Sequence, residues 1–125
     1  MGLRTVAFDV AVRRVYEPAE EADGQRVLVD RLWPRGLSRE KASLTLWLKD
    51  IAPSDELRTW FGHKVERWDE FRRRYAAELA GKDEALCELG NLLDKGRVTL
   101  LYAAHDEVHN NAVALAAWLG GRKQA

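Results

Sequence analysis

Val27-Leu28-Val29-Asp30-Arg31-Leu32-Trp33-Pro34-Arg35-Gly36 decides the fold class. Val27 to Leu32 carries four apolar residues in six positions, as expected for a strand covered on both faces. It runs into an arginine-rich turn, and Ser38 then stands where a helix N-cap belongs. A second segment repeats the design: Val98 to Ala104 reads as a strand, and His105-Asp106-Glu107-Val108-His109-Asn110-Asn111 follows as a polar loop. Strands that end in polar loops and feed helices predict an α/β domain. The expected form is a small three-layer, Rossmann-like fold with a short, largely parallel sheet flanked by helices. Such sheets place ligands at the carboxyl ends of their strands.

Outward from these segments, Val6 to Val15 alternates and predicts a first strand. Glu17 to Gly24 is acidic, holds Pro18 and Gly24, and reads as a solvated connection. Leu44, Trp47, Leu48 and Ile51 have helical spacing, with Pro53 as a stop. Ser54 is a candidate cap for the next helix, which has Asp55 and Glu56 in its first turn. Leu57, Phe61, Val65, Trp68, Phe71, Tyr75 and Leu79 form one apolar face, broken near Gly62 into a short helix and a longer one. A further helix is expected over Asp83 to Lys95, with Gly96 after it and Cys87 on its core side. The last helix is expected to start at Asp106, to bury Val108, Ala112, Leu115 and Leu119, and to close at Gly120-Gly121. The tail Arg122 to Ala125 would fray. Residues 1–125 thus read as one domain with a helical insertion at about 38–95.

The chain has 125 residues, 46% hydrophobic, and twenty basic side chains balance twenty acidic ones. Zero net charge gives no overall pull toward nucleic acid or an anionic membrane, and it favours self-association into a homo-oligomer. Cys87 is the single cysteine, so no intramolecular disulfide can form. No apolar run reaches the length of a membrane span, and the start of the chain lacks a signal-peptide core. The expectation is a cytoplasmic protein.

The turn after the second strand suits an anion. Guanidinium forks of Arg31 and Arg35 match phosphate or carboxylate oxygens, and Gly36 lets backbone approach a ligand. Asp30 would contact ligand or orient an arginine. From the second loop, Tyr102, Asn110 and Asn111 are candidate ligand contacts, and His109 is a candidate general base. His63, after Trp60-Phe61-Gly62, is a second candidate for proton transfer. His105 and His109 stand four apart, but no third ligand accompanies them, and Asp106 fills the place where a zinc-protease motif needs glutamate. No metal site is therefore assigned. Arg72-Arg73-Arg74 reads as a solvated face.

Several of these strings together resemble a known pattern. Arg26-Val27-Leu28-Val29-Asp30-Arg31-Leu32-Trp33-Pro34-Arg35-Gly36 is very similar to the hallmark of the YeaO-like bacterial family, within the superfamily catalogued as domain of unknown function 488. Trp47-Leu48-Lys49, Ala52-Pro53-Ser54, Leu57-Arg58, Trp60-Phe61-Gly62-His63, Trp68 with Phe71 and Tyr75, and Leu101-Tyr102-Ala103-Ala104 leading to His109-Asn110-Asn111-Ala112 extend the likeness from about Val12 to Leu119. The resemblance implies a compact cytoplasmic α/β domain with Arg31, Arg35, His63, His109 and Asn110 at motif positions. It supplies no reaction and no cofactor. Wider superfamily members carry a Cys-His-Arg cluster near the start of the last helix. His109-Asn110-Asn111 stands there in this chain, which argues against cysteine chemistry.

Three functional readings remain open. The first is a site for a small anionic ligand on Arg31 and Arg35, with or without acid–base catalysis by His109 or His63. The second is a non-enzymatic interaction module using exposed tryptophans among the five present. The third is a weak nucleic-acid binder using Arg31, Arg35, Arg39 and Arg72 to Arg74, which would require one contiguous basic surface.

Overall fold

A computed structural model describes residues 9–122. At its centre is β4 (Val98–Tyr102), buried at every position. Strand β1 (Val10–Arg14) pairs with it on one side and β2 (Gln25–Leu28) on the other, with β3 (Leu46–Trp47) outside β2. All three pairings are parallel, and Val12, Leu100 and Val27 lie abreast. The sheet separates two apolar clusters because alternate residues of a strand point to opposite faces. Val27, Leu100 and Tyr102 pack under the larger cluster with Leu57, Phe61, Phe71, Tyr75 and Leu115. Leu28 and Leu101 face the smaller one, with Val15, Ala42, Trp33 and Trp47. The α/β expectation is met by this all-parallel, four-stranded sheet.

Helix α1 (Arg39–Ala42) starts at Ser38, whose hydroxyl accepts the Lys41 N–H. Ser54 caps α2 (Asp55–Phe61) as expected, and the Glu78 carboxylate accepts both the Ser54 N–H and its hydroxyl proton. That contact ties the start of α2 to the end of α3 (Trp68–Leu79). Gly62 and His63 turn the chain between them in left-handed conformations, φ 51° and 58°. Helix α4 spans Asp83–Leu93 and α5 spans Asn111–Arg122. No helix among the described residues is long and apolar enough to cross a membrane.

The helix expected over Leu44 to Ile51 is instead β3 followed by a 3₁₀ turn at Lys49–Ile51. Its four apolar residues do not share a face. Leu44 and Trp47 join the small cluster, whereas Leu48 and Ile51 join the large one. Backbone bonds from Thr45 N–H to Arg26 and from Leu48 N–H to Leu28 hold the segment on the sheet edge. The insertion at 38–95 therefore contributes a strand as well as helices. Strand β2 ends at Leu28, and Leu32 is 63% exposed rather than core. Strand β4 stops at Tyr102.

Helix α5 starts later than expected, because Asn110 is its cap: its Oδ1 accepts the Val113 N–H at 2.9 Å. Asp106 caps the turn before it, and Val108 projects outward. The helix runs through Gly120 and Gly121, and the expected fraying beyond Arg122 falls outside the described residues, as does the start of the first strand before Asp9. Cys87 is exposed, since Ala85 and Leu89 take the buried face of α4. The acidic connection is not wholly solvated. Asp23 is buried, bonded bidentately by Arg13 Nη1 (2.8 and 2.9 Å) and by Arg26 Nη1 (2.6 Å).

Candidate functional site

Because β2 and β4 are parallel neighbours, the turns that follow them meet. Asp30 is the junction. Its Oδ2 accepts the Ala103 N–H at 2.9 Å, and the Asn111 side chain bonds the same carboxylate. Asn111 Nδ2 also donates to the Val29 carbonyl (2.8 Å), and Trp47 Nε1 donates to the Asp30 carbonyl (2.8 Å). Burial pushes the Asp30 carboxyl above its usual pKa. The Ala103 N–H, the Asn111 amide and the charges of Arg58 and His63 pull it back. Asp30 thus joins the two loops instead of serving an arginine from its own turn.

Arg31 leaves this junction toward α2. Its Nε lies 3.6 Å from Asp55 Oδ1, too long for a hydrogen bond, and Arg58 Nη2 lies 3.5 Å from the same oxygen. One exposed carboxylate is shared by two guanidinium groups. Arg31 Nε is shielded from solvent and has no hydrogen-bond acceptor among the described residues. Arg31 also borders an open groove with Asp50, Lys82, Asp83, Glu84 and Glu88.

His63 and His109 flank one aromatic pair. The His63 ring lies 6.0 Å from Phe61, Phe61 lies 5.9 Å from Trp68, and the His109 ring meets Trp68 edge-on at 5.3 Å. His63 is exposed. His109 is held harder: its Nδ1 is 3.0 Å from Asp106 Oδ2, and its backbone N–H bonds Asp106 Oδ1. N–H donation from His109 and Val108, with the imidazole bond, holds Asp106 down to about 2. The carboxylate orients the ring, as a partner to a general base would.

Other candidates are placed differently. Arg35 is exposed, and it is its carbonyl that is engaged, by the Tyr16 hydroxyl at 2.7 Å. No contact joins its guanidinium to Arg31. Gly36, at φ 75°, lets this turn close. Asn110 spends both ends of its amide on local structure, as the α5 cap and as donor to the Asp106 carbonyl. Tyr102 is 3% exposed, and burial together with Glu107 and Glu17 raises its phenol pKa. His105 bonds Arg14 while His109 bonds Asp106, so the two imidazoles do not converge. Among the described residues no group of three or more His, Cys, Asp or Glu is placed to hold a metal ion.

Sequence reasoning missed Arg58, Asp55 and the orienting role of Asp106. The first two were legible in principle, since Asp55 and Arg58 lie one turn apart on a capped helix. The tryptophans are all partly buried, and cations cover four of them: Arg39 on Trp33, Lys49 on Trp47, Arg67 and Arg74 on Trp60, and Arg72 on Trp68. Arg72, Arg73 and Arg74 pair with Asp69 and Glu70 along α3.

Residues 9–125 match the family described as DUF488-N3i, "Inactive DUF488-N3 subclade". The chain is similar to "Uncharacterized protein YeaO" of Escherichia coli (strain K12), 44% identical over 112 residues that cover 90% of this chain and 97% of that one. It is equally similar in extent to "Uncharacterized protein Mb3100c" of Mycobacterium bovis and "Uncharacterized protein Rv3073c" of Mycobacterium tuberculosis. Each is 46% identical over 113 residues, covering 90% of this chain and 95% of the relative. No solved structure matches the chain.

Proposed function

The chain belongs to the YeaO-like branch of the DUF488 family, and on that premise we propose that the carboxyl edge of its sheet binds a small phosphate- or carboxylate-bearing ligand without transforming it. The observation that carries this reading is Arg31 Nε, a sheltered charged donor with no acceptor, beside Arg58 and a carboxylate that both arginines must share. A sheltered N–H without a partner is costly, and an oxyanion taking the place of the exposed Asp55 carboxylate beside Arg31 and Arg58 would satisfy it. The description "inactive" attached to the matching family supports binding without turnover. The environment supports it too, since Asn110 is consumed as a cap. A cytoplasmic setting suits a ligand of this kind.

The Asp106–His109 pair favours a second reading, in which His109 moves a proton on the bound ligand. One experiment addresses both. Thermal unfolding is followed with added sodium phosphate, and separately with acetate, at ionic strength fixed by chloride. At ten times its Kd a ligand adds about 1.4 kcal/mol. For 125 residues that raises Tm by about 5 °C. Arg31→Gln should abolish the rise while lowering the basal Tm little, since an exposed ion pair is worth roughly 0–1 kcal/mol. His109→Gln should leave it intact. An Arg31→Gln protein that responds like the parent overturns the anion reading, and hydrolysis of a phosphoester lost in His109→Gln replaces binding with catalysis.

A further inference from the structure

The large hydrophobic side chains exposed among the described residues are Tyr16, Leu32, Val65 and Val108. Scattered singly such residues mean little, but gathered in one place they mark a contact surface. Tyr16, Leu32 and Val108 follow β1, β2 and β4, and the sheet is wholly parallel, so all three stand at its carboxyl edge. Direct contacts tie the turns of this edge together. The Tyr16 hydroxyl bonds the Arg35 carbonyl, Asp30 bonds Ala103, Asn111 bonds Val29, and His109 packs on Trp68. The β2 turn is also rigid. Trp33 is turned inward, with Nε1 bonded to the Leu37 carbonyl and its ring against Trp47, while Leu32 is held outward.

Charge divides along the same edge. The β2 turn presents Arg31 and Arg35, and the adjoining β4 turn presents Asp106 and Glu107. We infer that this edge is a two-fold contact between copies of the chain, with the axis along the sheet normal between the ends of β2 and β4. That operation reverses the strand direction and exchanges left for right. The acidic β4 turn of one copy then faces the basic β2 turn of the other, and Val108 meets Leu32. An isologous contact needs this kind of self-complementarity. Zero net charge leaves no long-range repulsion between copies. A preformed turn keeps the ordering cost of association low. The contact shares its edge and Arg31 with the proposed anion site but needs no ligand, so a buffer without anions other than chloride tests it separately.

Sedimentation equilibrium of the full chain in chloride buffer, free of phosphate and carboxylates, tests it from micromolar to several hundred micromolar protein. The expected result is a reversible shift from 14.2 kDa toward twice that mass. Leu32 and Val108 are exposed, so charged residues there leave folding intact. Leu32→Glu faces the partner's acidic turn and should weaken the dimer by about tenfold or more, whereas Leu32→Lys should weaken it far less. Val108 should show the reverse order, with Val108→Lys worse than Val108→Glu. A monomer across the whole range overturns the proposal. So does a dimer indifferent to both sites, or one weakened equally by either sign of charge.

Discussion

Replacing Asp23 with asparagine keeps the side chain's shape and removes its charge. The parent carboxylate accepts three hydrogen bonds from Arg13 and Arg26 and a fourth from the Glu20 N–H at 3.0 Å. Arg13 reaches solvent and also holds Glu17, so it loses little. Arg26 cannot compensate, because its side chain is 5% exposed and its remaining bonds go to the Ala42 carbonyl. An uncompensated buried guanidinium costs about 3–5 kcal/mol. A domain of this length holds roughly 6–19 kcal/mol in total, so Asp23→Asn should lower Tm by about 11–19 °C. Urea unfolding at neutral pH measures the difference directly. Backbone and arginine hydrogen bonds hold the Asp23 pKa below its unfolded value, outweighing burial. The stability it confers is present above the unfolded pKa, near 4, and is lost as pH falls through and below it. The gap between parent and variant should therefore narrow as pH falls below about 4, by no more than about 1.4 kcal/mol per pH unit. A variant within 0.5 kcal/mol of the parent at neutral pH would refute the reasoning, given that surface changes routinely fall within about that margin.

Asp30→Asn should behave in the opposite way. The folded Asp30 carboxyl titrates above its unfolded value, so its charge costs stability as pH rises past 4, and the amide can still accept the Ala103 N–H. At neutral pH, urea unfolding should show a change of less than about 1 kcal/mol, or a gain; a loss of 3 kcal/mol or more would show the charge itself to be structural. Gly24→Ala should destabilise by roughly 2–5 kcal/mol. Gly24 holds φ 64°, and a Cβ there would sit 2.5 Å from the Arg97 carbonyl oxygen; thermal unfolding within 2 °C of the parent would contradict that geometry.

The parallel core was legible because β2 and β4 are apolar on both faces and each ends in a polar turn. The caps at Ser38 and Ser54 were legible because a hydroxyl before an acidic first turn has few other uses. Helical spacing misled at Leu44 to Ile51, where a two-residue strand and a 3₁₀ turn sent alternate side chains to opposite faces. Asp106 looked like a helix cap because it does cap backbone N–H groups, but those of a turn, while Asn110 takes the helix. Asp30 was visible as part of the site, yet its bonds run to Ala103 and Asn111, more than seventy residues away, which no local pattern encodes. The sharing of Asp55 by Arg31 and Arg58 likewise depends on where α2 crosses the sheet edge.

Arginine side-chain NMR reaches the heart of the account. With phosphate titrated into the ¹⁵N-labelled protein at constant ionic strength, the Arg31 Nε–H resonance should move saturably and sharpen as it gains an acceptor, with Arg58 following. An Arg31 resonance that stays fixed while exposed arginines such as Arg73 drift without saturation would contradict it.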